Sequence, residues 1–131
     1  MIDEFTNITE IATAYRRSEI SPVKIVECCL SRIEELEPKL GAFEVVFSDH
    51  AVEAGRAAES AIKSGHSIGL FHGIPFALKD IIDVEGRITT GGSMAMQDQV
   101  ARQTATIAQR LISAGGILIG KTKTVEVAYG A

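Results

Sequence analysis

The chain has 131 residues, 46% hydrophobic and 23% charged, with no tryptophan and a net charge of −4. This is the composition of an ordinary globular domain large enough for a modest core. A pI near 5.4, with no basic run longer than Arg16-Arg17, argues against a phosphate-rich nucleic-acid partner. No apolar run approaches the ~20 residues of a membrane span, and the acidic start Met1-Ile2-Asp3-Glu4-Phe5 lacks the basic and apolar regions of a signal peptide.

In chain order, Asn7 with Glu10 three residues later has the form of a capping box, and Ile8, Ile11, Ala12 and Tyr15 follow on one helical face. Ser21-Pro22 predicts a second helix, with a serine N-cap and proline at the first position. Val23, Val26, Leu30 and Ile33 then recur at spacings of three and four, and Pro38 is expected to end the helix behind Glu34, Glu35 and Glu37. Residues 42–47 read as a short strand. Ser48 opens an alanine-rich helix through 63, stopped by Ser64-Gly65.

Cys28 and Cys29 are adjacent. On a helix they project about 100° apart, which does not suit a disulfide between them. They read as reduced, helix-packing residues, in keeping with a cytoplasmic location; a reactive thiol would have only Lys24 nearby to support it. Residues 64–73 resemble a linker. Beyond it, Ile74, Phe76 and Leu78 alternate with Pro75, Ala77 and Lys79 as in a strand, with Pro75 at its start or on a sheet edge. Residues 86–92 read as loop. Thr104 or Thr106 is expected to cap a helix carrying Ile107, Leu111 and Ile112 and closed by Gly115-Gly116, and Ile117-Leu118-Ile119 is expected as a buried strand. Strand, loop, helix and strand in this order predict an α/β unit with parallel strands.

Gly73-Ile74-Pro75-Phe76-Ala77-Leu78-Lys79-Asp80 carries the chemistry. An amine at the end of an apolar segment can lose its water, and desolvation favours the neutral form that acts as a base. By position alone, a lysine at a strand end is more often a solvated cap or an ion-pair partner. Asp80 and Asp83 are too few for a metal site and suit electrostatic support or turn capping. His50, His66 and His72 are scattered, and His72 alone is close enough in sequence to be a neighbour of the lysine. Ser93 offers a hydroxyl, or simple turn chemistry. Residues 115–122 satisfy the phosphate-loop pattern, but a helix is expected before it and a strand inside it, so its amides are not free to wrap a phosphate.

The run His72-Gly73-Ile74-Pro75-Phe76-Ala77-Leu78-Lys79-Asp80-Ile81-Ile82-Asp83, then Thr89-Thr90-Gly91-Gly92-Ser93, resembles the amidase signature family. So does Gly115-Gly116-Ile117-Leu118-Ile119-Gly120-Lys121-Thr122, followed by Glu126 and Ala128-Tyr129-Gly130-Ala131; Glu19-Ile20-Ser21-Pro22-Val23 and Arg32-Ile33-Glu34 resemble its opening helices. The resemblance implies an α/β fold in which N-terminal helices (residues 1–68) pack on the start of a mixed, largely parallel sheet (residues 69–131), all within the N-terminal part of one amidase domain. It implies hydrolysis of a small-molecule amide by a serine–cis-serine–lysine triad with no cofactor and no metal, and Lys79 takes the place of the lysine. The two serines lie in a Gly/Ser-rich segment absent from these residues, and Gly91-Gly92-Ser93 matches an earlier turn. The chain alone is therefore expected to be inactive. Lys123 stands where the family usually has asparagine, a departure that bears on the detailed pocket and not on Lys79. The competing readings are the nucleotide-binding pattern at 115–122, a non-catalytic fragment or complementing half that acts through protein–protein association or self-association, and an amidotransferase subunit.

Overall fold

The computed structural model describes residues 6–66 and 68–130. The reading of residues 1–5, Ser67 in the expected linker and Ala131 of the last block lie outside the described residues. α1 (Ile8–Arg16) starts as its capping box requires: the Asn7 side chain accepts from the Glu10 amide, and the Glu10 carboxylate accepts from the Asn7 amide, both at 3.0 Å. α2 (Pro22–Leu40) starts on Ser21, whose hydroxyl oxygen accepts from the Lys24 amide at 3.2 Å.

The predicted stop at Pro38 is corrected. α2 runs through Pro38 and ends at Gly41, which adopts φ +55° and donates its amide to the Glu37 carbonyl at 2.8 Å. A proline this close to the end removes one helical bond, and the left-handed glycine is the stronger stop signal. The acidic end is partly used: the Glu37 carboxylate accepts from the Phe43 amide at 2.9 Å, fixing the entry to the next strand.

β1 (Phe43–Val46) and α3 (Ser48–Lys63) follow as expected. Ala51, Gly55 and Ala58 form the buried face of α3, and these small side chains let it approach α2 closely. A Cβ on Gly55 would sit 3.4 Å from the Val23 Cα.

The sheet has the order β1-β3-β2. β2 (Pro75–Lys79) lies parallel to β3 (Ile117–Thr122), and β1 lies antiparallel to β3. Pro75 opens an edge strand, where its missing amide hydrogen is tolerated. Central β3 is buried from Ile117 to Lys121. Its residues alternate between two cores, as the twofold period of a strand demands. Ile117 and Ile119 pack with Val26, Ala51 and Ala58 of α2 and α3. Leu118 packs with Leu78, Val84 and Ala108 on the other face, under α4 (Thr106–Ser113). A third cluster of Tyr15, Ile25 and Ile74 ties α1 to the start of β2, where the Tyr15 hydroxyl donates to the Gly73 carbonyl at 3.0 Å.

Neither expected threonine caps α4. Its N-cap is Ala105, without a side-chain bond. Thr104 is engaged elsewhere: its hydroxyl oxygen accepts from the Glu85 amide at 3.0 Å, and the Ala105 amide donates to the Asp83 carbonyl at 2.9 Å. The tie to the 83–85 loop outcompetes the local cap. Across 115–122 the structure places a turn and then β3. The backbone amides there are committed to the ladder, so the phosphate-loop reading is excluded on geometry.

Candidate functional site

Parallel β2 and β3 end side by side, with Lys79 opposite Thr122 and Leu78 opposite Lys121. The two lysines meet opposite environments. Lys79 is exposed, and its ammonium makes no ion pair or side-chain hydrogen bond among the described residues. Among the described residues nothing buries it, as in the solvated strand-end alternative. β2 is an edge strand, and its last residue clears the cover that α4 gives to Leu78.

Lys121 is fully buried. Its Nζ donates to the Ile88 carbonyl at 2.8 Å and to the Thr89 hydroxyl at 2.6 Å, and lies 3.1 Å from Asp80 Oδ1. That last approach is off the axis of a hydrogen bond, so Oδ1 is held by charge and has no aligned donor among the described residues. Asp80 is 1% exposed. Its Oδ2 accepts from the Thr90 amide at 3.1 Å and from the Thr90 hydroxyl. Its backbone bridges strand and loop, since the amide donates to the Thr122 carbonyl at 2.9 Å and the carbonyl accepts from the Gly91 amide at 2.8 Å. Burying two charges demands this degree of compensation. Of the two roles expected of Asp80, electrostatic support and turn capping, the structure shows elements of both: a charge contact with Lys121 and bonds from the Thr90 and Gly91 amides. Asp83 is exposed.

Beyond Gly91 the loop is clipped to the chain's last turn. The Ser93 hydroxyl donates to Glu126 Oε1 at 2.6 Å, and the Val127 amide donates to the Gly91 carbonyl. Gly92 is required here, because a Cβ would meet the Thr124 carbonyl oxygen at 2.5 Å. Val127 adopts φ +45°, a left-handed conformation that a β-branched residue rarely takes. An open groove of about 410 Å³ lies beside this network, lined by Glu44, Phe47, Asp80, Arg87 and Thr90 among others, with the Arg87 guanidinium 4.4 Å above the Phe47 ring.

The family model for amidases matches residues 24–131. The chain belongs to the amidase family. A glutamyl-tRNA(Gln) amidotransferase subunit of Chloroflexus aurantiacus is 37% identical over 124 residues, covering 95% of this chain and 26% of that protein. Among solved structures, a bacterial aryl acylamidase of the amidase signature enzymes superposes with a TM-score of 0.88 at 27% identity, over 94% of this chain and 26% of that one. The peptide amidase of Stenotrophomonas maltophilia gives 0.86 at 28% identity, over 94% and 26%. The chain thus spans about a quarter of the length of these relatives.

Within this amidase-family chain, the structure fastens the 88–91 loop to Asp80, the residue after Lys79, and to Lys121, and separates His72 from Lys79 by the length of β2. His72 precedes β2, with Lys79 at the other end of the strand. Its Nε2 lies 3.1 Å from the Ala58 carbonyl on α3, and a Cβ on Gly115 would strike its Nδ1 at 2.7 Å. His72 is a packing residue. Ser93 is committed to Glu126, not to Lys79. Lys123 is exposed beyond β3, with its amide donating to the Ala42 carbonyl at 2.8 Å. Of the two free cysteines, Cys29 packs against the core and Cys28 is exposed, so the packing role holds for one. Burial pushes the Cys29 thiol up, with a further push from Cys28. Among the described residues no group of three His, Cys, Asp or Glu could hold a metal, and no helix is long and apolar enough to cross a membrane.

The sequence reading missed Lys121 as a structural centre. Its signal was present: a lysine ending the run Ile117-Leu118-Ile119-Gly120 on a strand predicted to be buried has no route to solvent and requires a buried acid.

Proposed function

We propose that the chain is the N-terminal part of a single amidase domain that hydrolyses a linear amide, and that Lys79 is its proton-transfer base. One observation carries the reading: in an amidase-family sheet, a lysine without a side-chain partner among the described residues stands at the carboxyl end of a parallel strand, the place where open α/β sheets bind their ligands. A base that must meet a hydroxyl from elsewhere in the domain has to be free of competing partners; among the described residues Lys79 has none, whereas Lys121 is committed to Ile88, Thr89 and Asp80.

In this reading the remaining three-quarters of the domain supplies both serines and covers Lys79. Covering removes water from the amine and favours its neutral form. The neutral amine takes a proton from the bridging serine, and that serine takes one from the nucleophilic hydroxyl. The serine oxygen attacks the amide carbonyl, backbone amides hold the oxyanion, and the returning proton leaves with the amine. Water then releases the acid by the same relay. The 131 residues alone are expected to turn nothing over, because Ser93 is held by Glu126 and Lys79 bonds no hydroxyl among the described residues.

The test begins with the coding sequence after the Ala131 codon. Continuation into a Gly/Ser-rich stretch with two serines supports the reading. In the resulting enzyme Lys79→Ala and Lys79→Arg should both lose hydrolysis, since guanidinium does not release its proton. An active Lys79→Arg enzyme overturns the base role. Amide hydrolysis by the 131-residue chain that disappears in Lys79→Ala overturns the claim that it is inactive alone.

A further inference from the structure

The Lys121–Asp80 pair is the most heavily buried polar feature among the described residues, and the relay above does not use it. A buried ion pair is seldom the most effective stabiliser of a core, since apolar residues of similar volume serve as well or better. Its contacts suggest a different role. Lys121 grips the Ile88 carbonyl and the Thr89 hydroxyl. Asp80 grips Thr90 by its carboxylate and Gly91 by its carbonyl, while its amide is bonded to Thr122 of β3. Four consecutive loop residues are thus fastened to the two strand ends, and the bonds converge on the residue next to Lys79.

We propose that Lys121 and Asp80 are positioning residues that lock the Lys79 strand end and the 88–91 loop into one rigid unit, so that an otherwise unpartnered amine is presented at a fixed place. The inference rests on the reading of Lys79 as the base. Among the described residues Lys79, at the end of β2, has no side-chain contact to orient it. Within this part of the domain the rigidity comes from the backbone beneath it, and Asp80 supplies that on one side and Lys121 from the neighbouring strand. The Ser93–Glu126 clip extends the same unit to the 126–128 turn.

The experiment compares Asp80→Asn, Lys121→Met and the double variant in the complete enzyme, with Lys79→Ala as control. Each single variant strands a buried charge or its partners and lowers the thermal midpoint. The double variant removes both charges, keeps an acceptor for Thr90, and should recover most of that midpoint. Its kcat should nevertheless stay down roughly tenfold to a hundredfold, the cost of misplacing a reacting group by about 1 Å, with KM within about threefold of wild type. Amide exchange at Thr90 and Gly91 should accelerate at least about tenfold while Ile117 to Ile119 stay protected. A double variant with wild-type kcat and unchanged exchange at Thr90 and Gly91 overturns the proposal. Activity retained in Lys79→Ala removes the base reading and this inference with it, whereas activity lost there but intact in the double variant removes this inference alone.

Discussion

Gly120→Ala sets two physical effects against each other at one position, and their magnitudes decide the sign. Gly120 lies in central β3, opposite Val46 on one side and Ala77 on the other. By propensity alone, alanine should stabilise a strand interior by about 0.5–1 kcal/mol, because glycine loses more backbone freedom on folding. The packing argues the other way. A Cβ at Gly120 would lie 2.4 Å from the Val45 carbonyl oxygen and 3.0 Å from the Phe43 ring. The first contact is with backbone and cannot swing aside, so β1 must move outward by about 1 Å to reach ordinary van der Waals distance. That strains a packed core by about 1–3 kcal/mol and loosens ladder bonds worth about 1 kcal/mol each. The expected net effect is destabilisation by about 2–3 kcal/mol. For a chain of 131 residues this lowers the thermal midpoint by roughly 7–11 °C. Thermal and urea unfolding followed by circular dichroism measure it directly. A Gly120→Ala chain as stable as wild type would mean that β1 does not press on β3 as described.

The same reasoning gives the opposite sign at Gly55. It lies inside α3, where alanine gains about 0.5–1 kcal/mol, and a Cβ there meets the Val23 Cα at an ordinary 3.4 Å; Gly55→Ala should raise the urea midpoint slightly, and a clear drop would show that the α2–α3 contact has no slack. Tyr15→Phe strips the Gly73 carbonyl of a buried 3.0 Å hydrogen bond and should cost about 1–2 kcal/mol in the same assay. Alkaline titration tests burial independently. Desolvation, with a smaller push from Cys29, raises the Tyr15 hydroxyl well above its ordinary range, and desolvation with a push from Cys28 raises the Cys29 thiol. Both groups bind their protons more tightly folded than unfolded, so their contribution is complete below the unfolded values and is lost as pH rises through the folded ones. Stability should therefore fall from about pH 9 upward, by at most about 1.4 kcal/mol per pH unit for each group, and Cys29→Ala with Tyr15→Phe should flatten that slope. A pH-independent urea midpoint between 8 and 11 contradicts the burial of both.

Much of the fold was legible because its signals are local. Asn7 and Glu10, Ser21 and Pro22, and the alternation from Ile74 to Lys79 each state a conformation within a few residues. The misreadings have one common cause. At Pro38 and Thr104 local rules lose to a competing partner: the left-handed Gly41 for α2, and the Glu85 amide for the Thr104 hydroxyl; Thr106 lies inside α4 as its first residue. His72 was placed near the lysine by sequence distance, but a strand converts sequence distance into spatial distance at ~3.3 Å per residue, and the intervening strand carries Lys79 away.

The two lysines show the same limit at the candidate site. Sequence logic looked for one desolvated amine and chose Lys79 from its motif. Within the described residues it is Lys121 that is buried, because β3 is central and covered on both faces, while β2 is at the edge of the three strands described. These are complementary requirements. A buried lysine that donates to the Ile88 carbonyl and the Thr89 hydroxyl and lies against the Asp80 carboxylate is committed to the frame. A lysine with no partner among the described residues is available to exchange a proton, once something covers it. If the remainder of an amidase domain provides that cover, each residue has a distinct part: Lys121 spends its charge holding the frame, and Lys79 keeps its amine uncommitted. Reductive methylation of the 131-residue chain should separate them, modifying Lys79 readily and leaving Lys121 unmodified until the chain unfolds. Equal labelling of the two amines under native conditions would contradict both the burial of Lys121 and the division of roles built on it.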